Sequence, residues 1–295
     1  MIKAEESVMP DILIREFALD TSHPEADEHI RQPLPLWRRL WEIDGVRKCT
    51  LILIMALLWQ TYAVVLNNSL VLPSFTAILT AFFDGLVNGE LFSRIYVSLK
   101  VLLMGYFSGI FMAAVLSVFA ITSRIGLDLL DTLTSMFNPL PAIALLPLAL
   151  LWFGLGTPSI IFVLIHAVLW PVALNTLSGF SSISPTLRLV GRNYGLTGPR
   201  YVLQILVPAA FPSIVTGLKI GWAFAWRTLI AAELVFGVSS GSGGLGWFIY
   251  EKKNQLETAS VFAGLLTVIL VGILVENCVF RTLERETVYK WGMRA

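Results

Sequence analysis

Residues 184–212 read SPTLRLVGRNYGLTGPRYVLQILVPAAFP, a polar and basic interruption in a chain otherwise made of long apolar runs. Ser184 suits an N-cap and Pro185 the first helical position, so a short helix is predicted to run to about Tyr194. Gly195 then supplies a left-handed stop. Thr197 can cap a second helix with Pro199 in its first turn, and Pro208 and Pro212 are predicted to end or kink it before the next apolar run. The stretch therefore reads as helix, turn, helix. On the first helix Leu187, Val190 and Tyr194 share one face at spacings of three and four, while Arg188 and Arg192 lie on another. An apolar stripe beside basic residues suits a groove in a soluble partner.

The runs around this element fix its surroundings. With 56% hydrophobic and 14% charged residues in 295, and a mean hydropathy of +0.75, the chain is too apolar for a soluble globular domain. Six stretches approach the roughly 20 apolar residues a membrane span needs, at 50–67, 99–121, 132–153, 158–180, 213–237 and 259–280. All are expected to be helices, because a backbone in hydrocarbon must satisfy its own hydrogen bonds. The fold class is thus all-α and polytopic, with about six transmembrane helices. Pro139, Pro141 and Pro147 each remove a backbone donor from the third, so it is predicted to be kinked or broken where neighbouring protein covers it.

Basic residues orient the spans. Arg38, Arg39, Arg47 and Lys48 precede the first, Arg124 follows the second, Arg188, Arg192 and Arg200 follow the fourth, and Arg281, Arg285, Lys290 and Arg294 follow the sixth. All fall on one side, against chiefly Arg94, Lys252 and Lys253 on the other, which places both termini and the 184–212 loop in the cytoplasm. Residues 1–47 form a cytoplasmic N-terminal extension whose first 36 residues are polar and acidic, 48–285 the membrane domain, and 286–295 a cytoplasmic tail. No signal peptide is visible near Met1. Cys49 and Cys278 fall near the cytoplasmic face, so no disulfide is expected. A net charge of +1 argues against nucleic acid as a partner.

Several residue types inside or beside the spans call for chemistry. Lys219 and Glu276 lie near cytoplasmic ends, where Lys reaches headgroups and a structural role is expected. Arg227, more central, either lines an aqueous path that attracts an anion or pairs with Glu233 or Glu276. Glu233 is expected to pair or gate rather than touch an anion directly. His166 lines the path with Trp170 and Pro171, or bonds a neighbouring backbone carbonyl. Gly241, Gly243 and Gly246 fit G-x-G-x-x-G, yet without a strand before and a soluble βαβ unit around them they read as a flexible or re-entrant outer loop. The phosphate loop G-x-x-x-x-G-K-[ST] does not occur in the sequence, so ATP hydrolysis by that route falls to another subunit. No serine lies in a nucleophile motif that would make an intramembrane hydrolase of His166 and Ser108.

Against this background the 184–212 stretch resembles the cytoplasmic coupling loop of ABC-importer permeases: Glu-Ala-Ala, three residues, Gly, nine residues, Ile, any residue, Leu-Pro. The positions here are Leu189, Val190 and Gly191, then Gly195, then Ile205, Val207 and Pro208; the spacing holds, while Leu189 replaces the acid and Val190 and Gly191 the alanines. Apolar docking is left as the main contact. Asn138-Pro139-Leu140-Pro141, Leu146-Pro147-Leu148 and Trp152 to Gly156 are similar to the third span of the nitrate, sulfonate and taurine branch. Thr216-Gly217-Leu218 and Ala231-Ala232-Glu233-Leu234 resemble its fifth span, and Gly244-Leu245-Gly246 its following outer loop.

The resemblance, from about Leu70 to Arg285, implies a type I permease fold in a bacterial inner membrane. It implies a homodimer with the path at the subunit interface, cytosolic ABC ATPase subunits and a periplasmic substrate-binding protein. No cofactor is expected on this chain; ATP and Mg would sit on the ATPase. The coupling residues would be Leu187, Arg188, Leu189, Val190, Gly191, Arg192, Tyr194, Gly195, Pro199 and Pro208. Pro141, His166, Trp170, Arg227 and Glu233 are candidates for the pathway or its gate. The substrate would be a small solute, an anion such as a sulfonate, taurine, nitrate or bicarbonate. The alternative is a six-helix secondary carrier or channel, against which stands the lack of a second proline-broken span.

Overall fold

Apolar runs of this length become helices because helix is the one open-chain conformation that keeps every peptide bond paired inside a bilayer. The computed structural model describes residues 43–236 and 243–290. Residues 1–42, which hold most of the N-terminal extension, lie outside the described residues, as do Gly241 and 291–295.

The chain divides into a unit ending at Met55 and a unit from Ala56 onward, a boundary inside helix α1 (Asp44–Leu66). In the first unit Arg47 pairs with Asp44 and Thr50 Oγ1 donates to the carbonyl of Val46. In the second, after the end of α1, come α2 (Phe75–Val87), α3 (Glu90–Thr122), α4 (Arg124–Phe137), a 3₁₀ turn (Ala142–Leu145) running into α5 (Leu146–Phe153), α6 (Thr157–Ser181) and α7 (Pro185–Asn193). These are followed by α8 (Gly198–Tyr201), α9 (Val207–Phe236), α10 (Leu245–Asn254) and α11 (Thr258–Val275), the last continuing through π-helical turns to Tyr289.

Five of the described helices are long and apolar enough to cross a membrane, or six if the pair Arg124–Phe137 and Ala142–Phe153, bent by 89°, counts as one span. That bend is the break expected from the prolines of the third span. Its position follows from Pro139 and Pro141, which deny the turn two backbone donors. The observed spans outrun several predicted ones, since polar first turns such as Glu90 to Arg94 extend helices beyond their apolar stretch.

Two expectations are corrected. Pro208 and Pro212, expected to end or kink the second helix, do not end it: α8 passes through a π-helical stretch, Val202–Leu206, directly into α9. The missing N–H of Pro208 falls where the bonding has widened, with Val207 N–H donating to the carbonyl of Val202 five residues back, and the strain of an interior proline is relaxed. Of the outer loop read as flexible or re-entrant, Gly241 lies outside the described residues, while from Gly244 onward the chain forms the regular helix α10, which carries Gly246.

Helix α6 is the axis of the packing. Its buried side chains include Val163, Leu164, Val168, Val172 and Ala173, and α3 and α9 lie against it. Both neighbours approach through a small-xxx-small pair. A β-carbon on Gly105 would lie 2.5 Å from Cβ of Leu164, and one on Gly109 would lie 2.7 Å from Cβ of Val168. On α9, Gly217 and Gly221 meet Asn175 and Val172 in the same way. Such close backbone approach is how helices gain dispersion energy where lipid removes the hydrophobic drive. Tyr106 adds a bond from its hydroxyl to the carbonyl of Leu218, 2.8 Å, which joins α3 to α9. Large apolar side chains such as Phe107, Phe111, Ile269 and Leu274 are exposed on the outer helix faces, the arrangement of a lipid-facing surface.

Gly105→Val is expected to destabilise the bundle by at least about 1–3 kcal/mol through overpacking. Gly45→Ala, in open space on α1, is expected to be neutral. Thermal unfolding in detergent reads both, and a Gly105→Val protein as stable as the wild type would contradict the packing described.

Candidate functional site

The helix that follows α6 is held at both ends by local chemistry. Ser184 Oγ accepts from Leu187 N–H, as an N-cap should. Gly195, at φ +71°, closes the other end: its N–H donates to Arg192 and that of Leu196 to Gly191, the paired bonds of a Schellman stop. One face of α7 is tied to the bundle. Arg188 donates to the carbonyls of Phe180, in the last turn of α6, and Ile183, just beyond it, and a β-carbon on Gly191 would lie 2.8 Å from the ring of Tyr201 and 3.0 Å from Ile205. Leu187, Leu189, Val190 and Tyr194 are exposed.

The second helix of the element, α8, is continuous with α9. Val202 and Leu206, on the π-helical stretch, are buried together with Phe180 and Ile183 from the end of α6 and Ala210 from α9. Pro199 belongs to α8, and Pro208 is the second residue of α9.

A second constellation gathers at the elbow of the broken span. A cavity of about 140 Å³ is bounded by Asn138 to Ala142 on the elbow, by His166, Ala167, Trp170 and Pro171 on α6, and by Phe224 and Thr228 on α9. Phe137 stacks on Trp170, with ring centroids 5.7 Å apart and planes 7° apart, and meets His166 edge-on. Among the described residues neither ring nitrogen of His166 nor Nε1 of Trp170 has a hydrogen-bond partner, although each atom is shielded. The expected bond from His166 to a backbone carbonyl is thus not made, because the ring is packed against aromatic faces rather than turned to a helix backbone.

Arg227 does not form the ion pair considered for it. Among the described residues its Nε donates to the carbonyl of Ala223, and its guanidinium lies 4.9 Å from the centroid of Phe224, while Arg227 itself does not line the cavity. Its two candidate partners are engaged elsewhere. Glu276 pairs with Lys219 at 2.5 Å, a bond that ties α9 to the helix following α11.

Glu233 is 4% exposed and lines no part of the elbow cavity. Its carboxylate accepts from Ser98 Oγ and from Gly246 N–H, both 2.8 Å, while Ser98 Oγ accepts from Leu245 N–H. Gly244 and Gly246 permit this approach, since a β-carbon on either would collide with Glu233. Arg94 completes the hold by donating to Gly243 and pairing with Glu251 at 3.0 Å. These side chains latch α10 onto α3 and α9. Sequence reasoning missed Ser98 and Arg94, for no local pattern marks a partner that lies more than a hundred residues away.

The family model described as the binding-protein-dependent transport system inner membrane component matches residues 105–286, which include the elbow and the α7 element. The chain is 32% identical over 206 residues to the putative aliphatic sulfonates transport permease of Escherichia coli, covering 70% of this chain and 77% of that protein. It is 29% identical over 239 residues to the nitrate import permease of Synechocystis sp., covering 79% and 86%. With the taurine transport system permease of Escherichia coli the identity is 27% over 232 residues, covering 77% and 83%.

Ser98→Ala leaves Leu245 N–H and the carboxylate without their shared partner, a loss of about 1–3 kcal/mol. Amide exchange across Leu245–Asn254 is expected to quicken by about tenfold or more, and exchange as slow as in the wild type would contradict the latch.

Proposed function

The chain belongs to the family of binding-protein-dependent transport system inner membrane components, and from that premise we propose that it is the permease subunit of an ATP-driven importer of a small oxyanion-bearing solute. It is a multi-pass membrane transport protein and not a catalytic enzyme. In the proposed assembly two copies flank the path, a cytosolic ATPase pair binds ATP and Mg, and an external binding protein delivers the substrate. Relatives named for sulfonates, nitrate and taurine support an anionic headgroup as the common feature of the cargo.

One observation carries this reading: a short helix that exposes Leu187, Val190 and Tyr194 on one face, with Leu189 exposed as well, is bonded through Arg188 and packed through Gly191 against the ends of two spans. Burying the apolar side chains needs a soluble partner, and the basic residues at Arg124, Arg188, Arg192 and Arg200 support a cytoplasmic one. When the ATPase pair closes, the docked α7 moves, Arg188 draws the end of α6 and the Gly191 contact draws the start of α9. Both helices border the elbow cavity, so the motion reaches His166, Trp170 and Phe224. The coupling is reciprocal: substrate delivery outside favours the ATPase geometry that hydrolyses ATP.

Val190→Asp places a charge in the docking face, and Gly195→Val forces a β-branched residue to φ +71°, at about 1–3 kcal/mol. In proteoliposomes holding permease, ATPase and binding protein, each is expected to cut ATP-dependent uptake about tenfold or more, with the permease still folded. Uptake and ATPase stimulation equal to the wild type in both variants would overturn the coupling role.

A further inference from the structure

A groove of about 770 Å³ opens where two spans end, between the turn joining α3 to α4 and the turn joining α6 to α7. That volume lies within the roughly 300–1,000 Å³ typical of ligand sites. Two kinds of residue line it. Ile121 and Leu177, from the closing turns of α3 and α6, are apolar, as is Leu127 of α4. Arg124 and Arg188 line the same groove, and no aspartate or glutamate does. Among the described residues Arg124 makes no hydrogen bond or ion pair, even with Asp128 one turn along α4. Arg188 gives its Nε and Nη2 to the carbonyls of Ile183 and Phe180, which leaves Nη1 without a partner among the described residues. The hydroxyls of Ser181 and Ser182 are already spent on the carbonyls of Leu177 and Gly179. Those of Ser123 and Ser184 are not: each oxygen accepts an N-cap bond, from Gly126 and Leu187 N–H, and each hydroxyl hydrogen is left to donate.

Two cations with spare donors, set beside apolar side chains at the level where spans give way to their connecting turns, match an amphipathic anion. We infer that this groove binds the headgroup of an anionic phospholipid from the leaflet on the α7 side, its phosphate held by Arg124 and Arg188 and its glycerol end against Ile121, Leu127 and Leu177. A soluble phosphate shares the charge and gains nothing from the apolar side chains, whereas a zwitterionic lipid brings a second cation to two arginines. The face of α7 proposed to meet the ATPase is a different one, since Leu187, Val190 and Tyr194 do not line the groove. The lipid site is therefore independent of the importer reading. Arg124 opens α4, the first arm of the broken span, and Arg188 belongs to α7, so a shared phosphate joins the two.

The test uses the full-length protein, purified in detergent with and without its ATPase subunits and mixed with dioleoyl phosphatidylglycerol or dioleoyl phosphatidylcholine, bound lipid being counted by native mass spectrometry. Phosphatidylglycerol is expected to bind about tenfold more tightly than phosphatidylcholine. Arg124→Gln is expected to weaken phosphatidylglycerol about fivefold, and Arg124→Glu to abolish the preference. Arg124 makes no bond within the fold, so both variants are expected to unfold at the wild-type temperature. Arg281→Gln, an equal loss of charge outside the groove, is expected to leave the preference unchanged. Equal binding of the two lipids by the wild type, or a preference that survives Arg124→Glu, overturns the site. Displacement of the lipid by equimolar glycerol phosphate or inorganic phosphate assigns the groove to a free anion and overturns the lipid as its occupant. Loss of the preference whenever the ATPase is bound gives the groove to that protein and overturns it equally.

Discussion

A peptide group in hydrocarbon has no water to fall back on, and every feature of this chain is shaped by that scarcity. Along α3, α6, α9 and α11 the demand is met by uninterrupted helix. At Asn138 to Pro141 it is not, for two prolines withhold their donors and the chain turns by 89°. Such a break survives where protein rather than lipid surrounds it. Here Phe137 lies flat on Trp170 of α6, and α9 contributes Phe224 and Thr228 to the opposite wall. The interruption that is costly to the backbone thus lies beside a cavity to which the elbow, α6 and α9 all contribute.

The close packing around α6 determines how motion can travel. Glycines at 105, 109, 217 and 221 bring backbones near enough that neighbouring helices cannot slide without meeting one another's β-carbons. Rods packed in this way move as bodies. Helix α7 has two firm points of attachment, the Arg188 bonds at the end of α6 and the Gly191 contact at the root of α9. Each of those helices carries one wall of the elbow cavity. On the far side the buried Glu233 holds α10 to Ser98, so the outer helix is tied to the same rods.

What the sequence made legible was local. Apolar length gave the spans, Pro139 and Pro141 gave the break, and Ser184 with Gly195 gave the ends of α7, because each signal acts within a few residues of itself. The misses share the opposite character. Pro208 looked like a stop, yet the π-helical turn before it absorbs the missing donor. Helix α10 is only ten residues long, too short to be stable without the contacts to Glu233 and Ser98 that hold it. Arg227 lies on the helix that carries Glu233, and only the folded arrangement reveals that Ser98 and Lys219 have taken both of its prospective partners. The glycine pairs at 105 and 109 and at 217 and 221 were visible as small-xxx-small spacing and could have named the faces of α3 and α9 that meet α6.

The central claim is that α7 faces the cytoplasm and receives force there from a separate ATPase. A single cysteine at position 190, in a protein with Cys49 and Cys278 replaced by serine, tests this when a membrane-impermeant maleimide is applied to right-side-out and inverted vesicles and a short bifunctional crosslinker is applied to the full complex. The account predicts labelling from the cytoplasmic side alone and a crosslink to the ATPase subunit. Labelling from the outer side, or no crosslink in a complex that hydrolyses ATP, would contradict it.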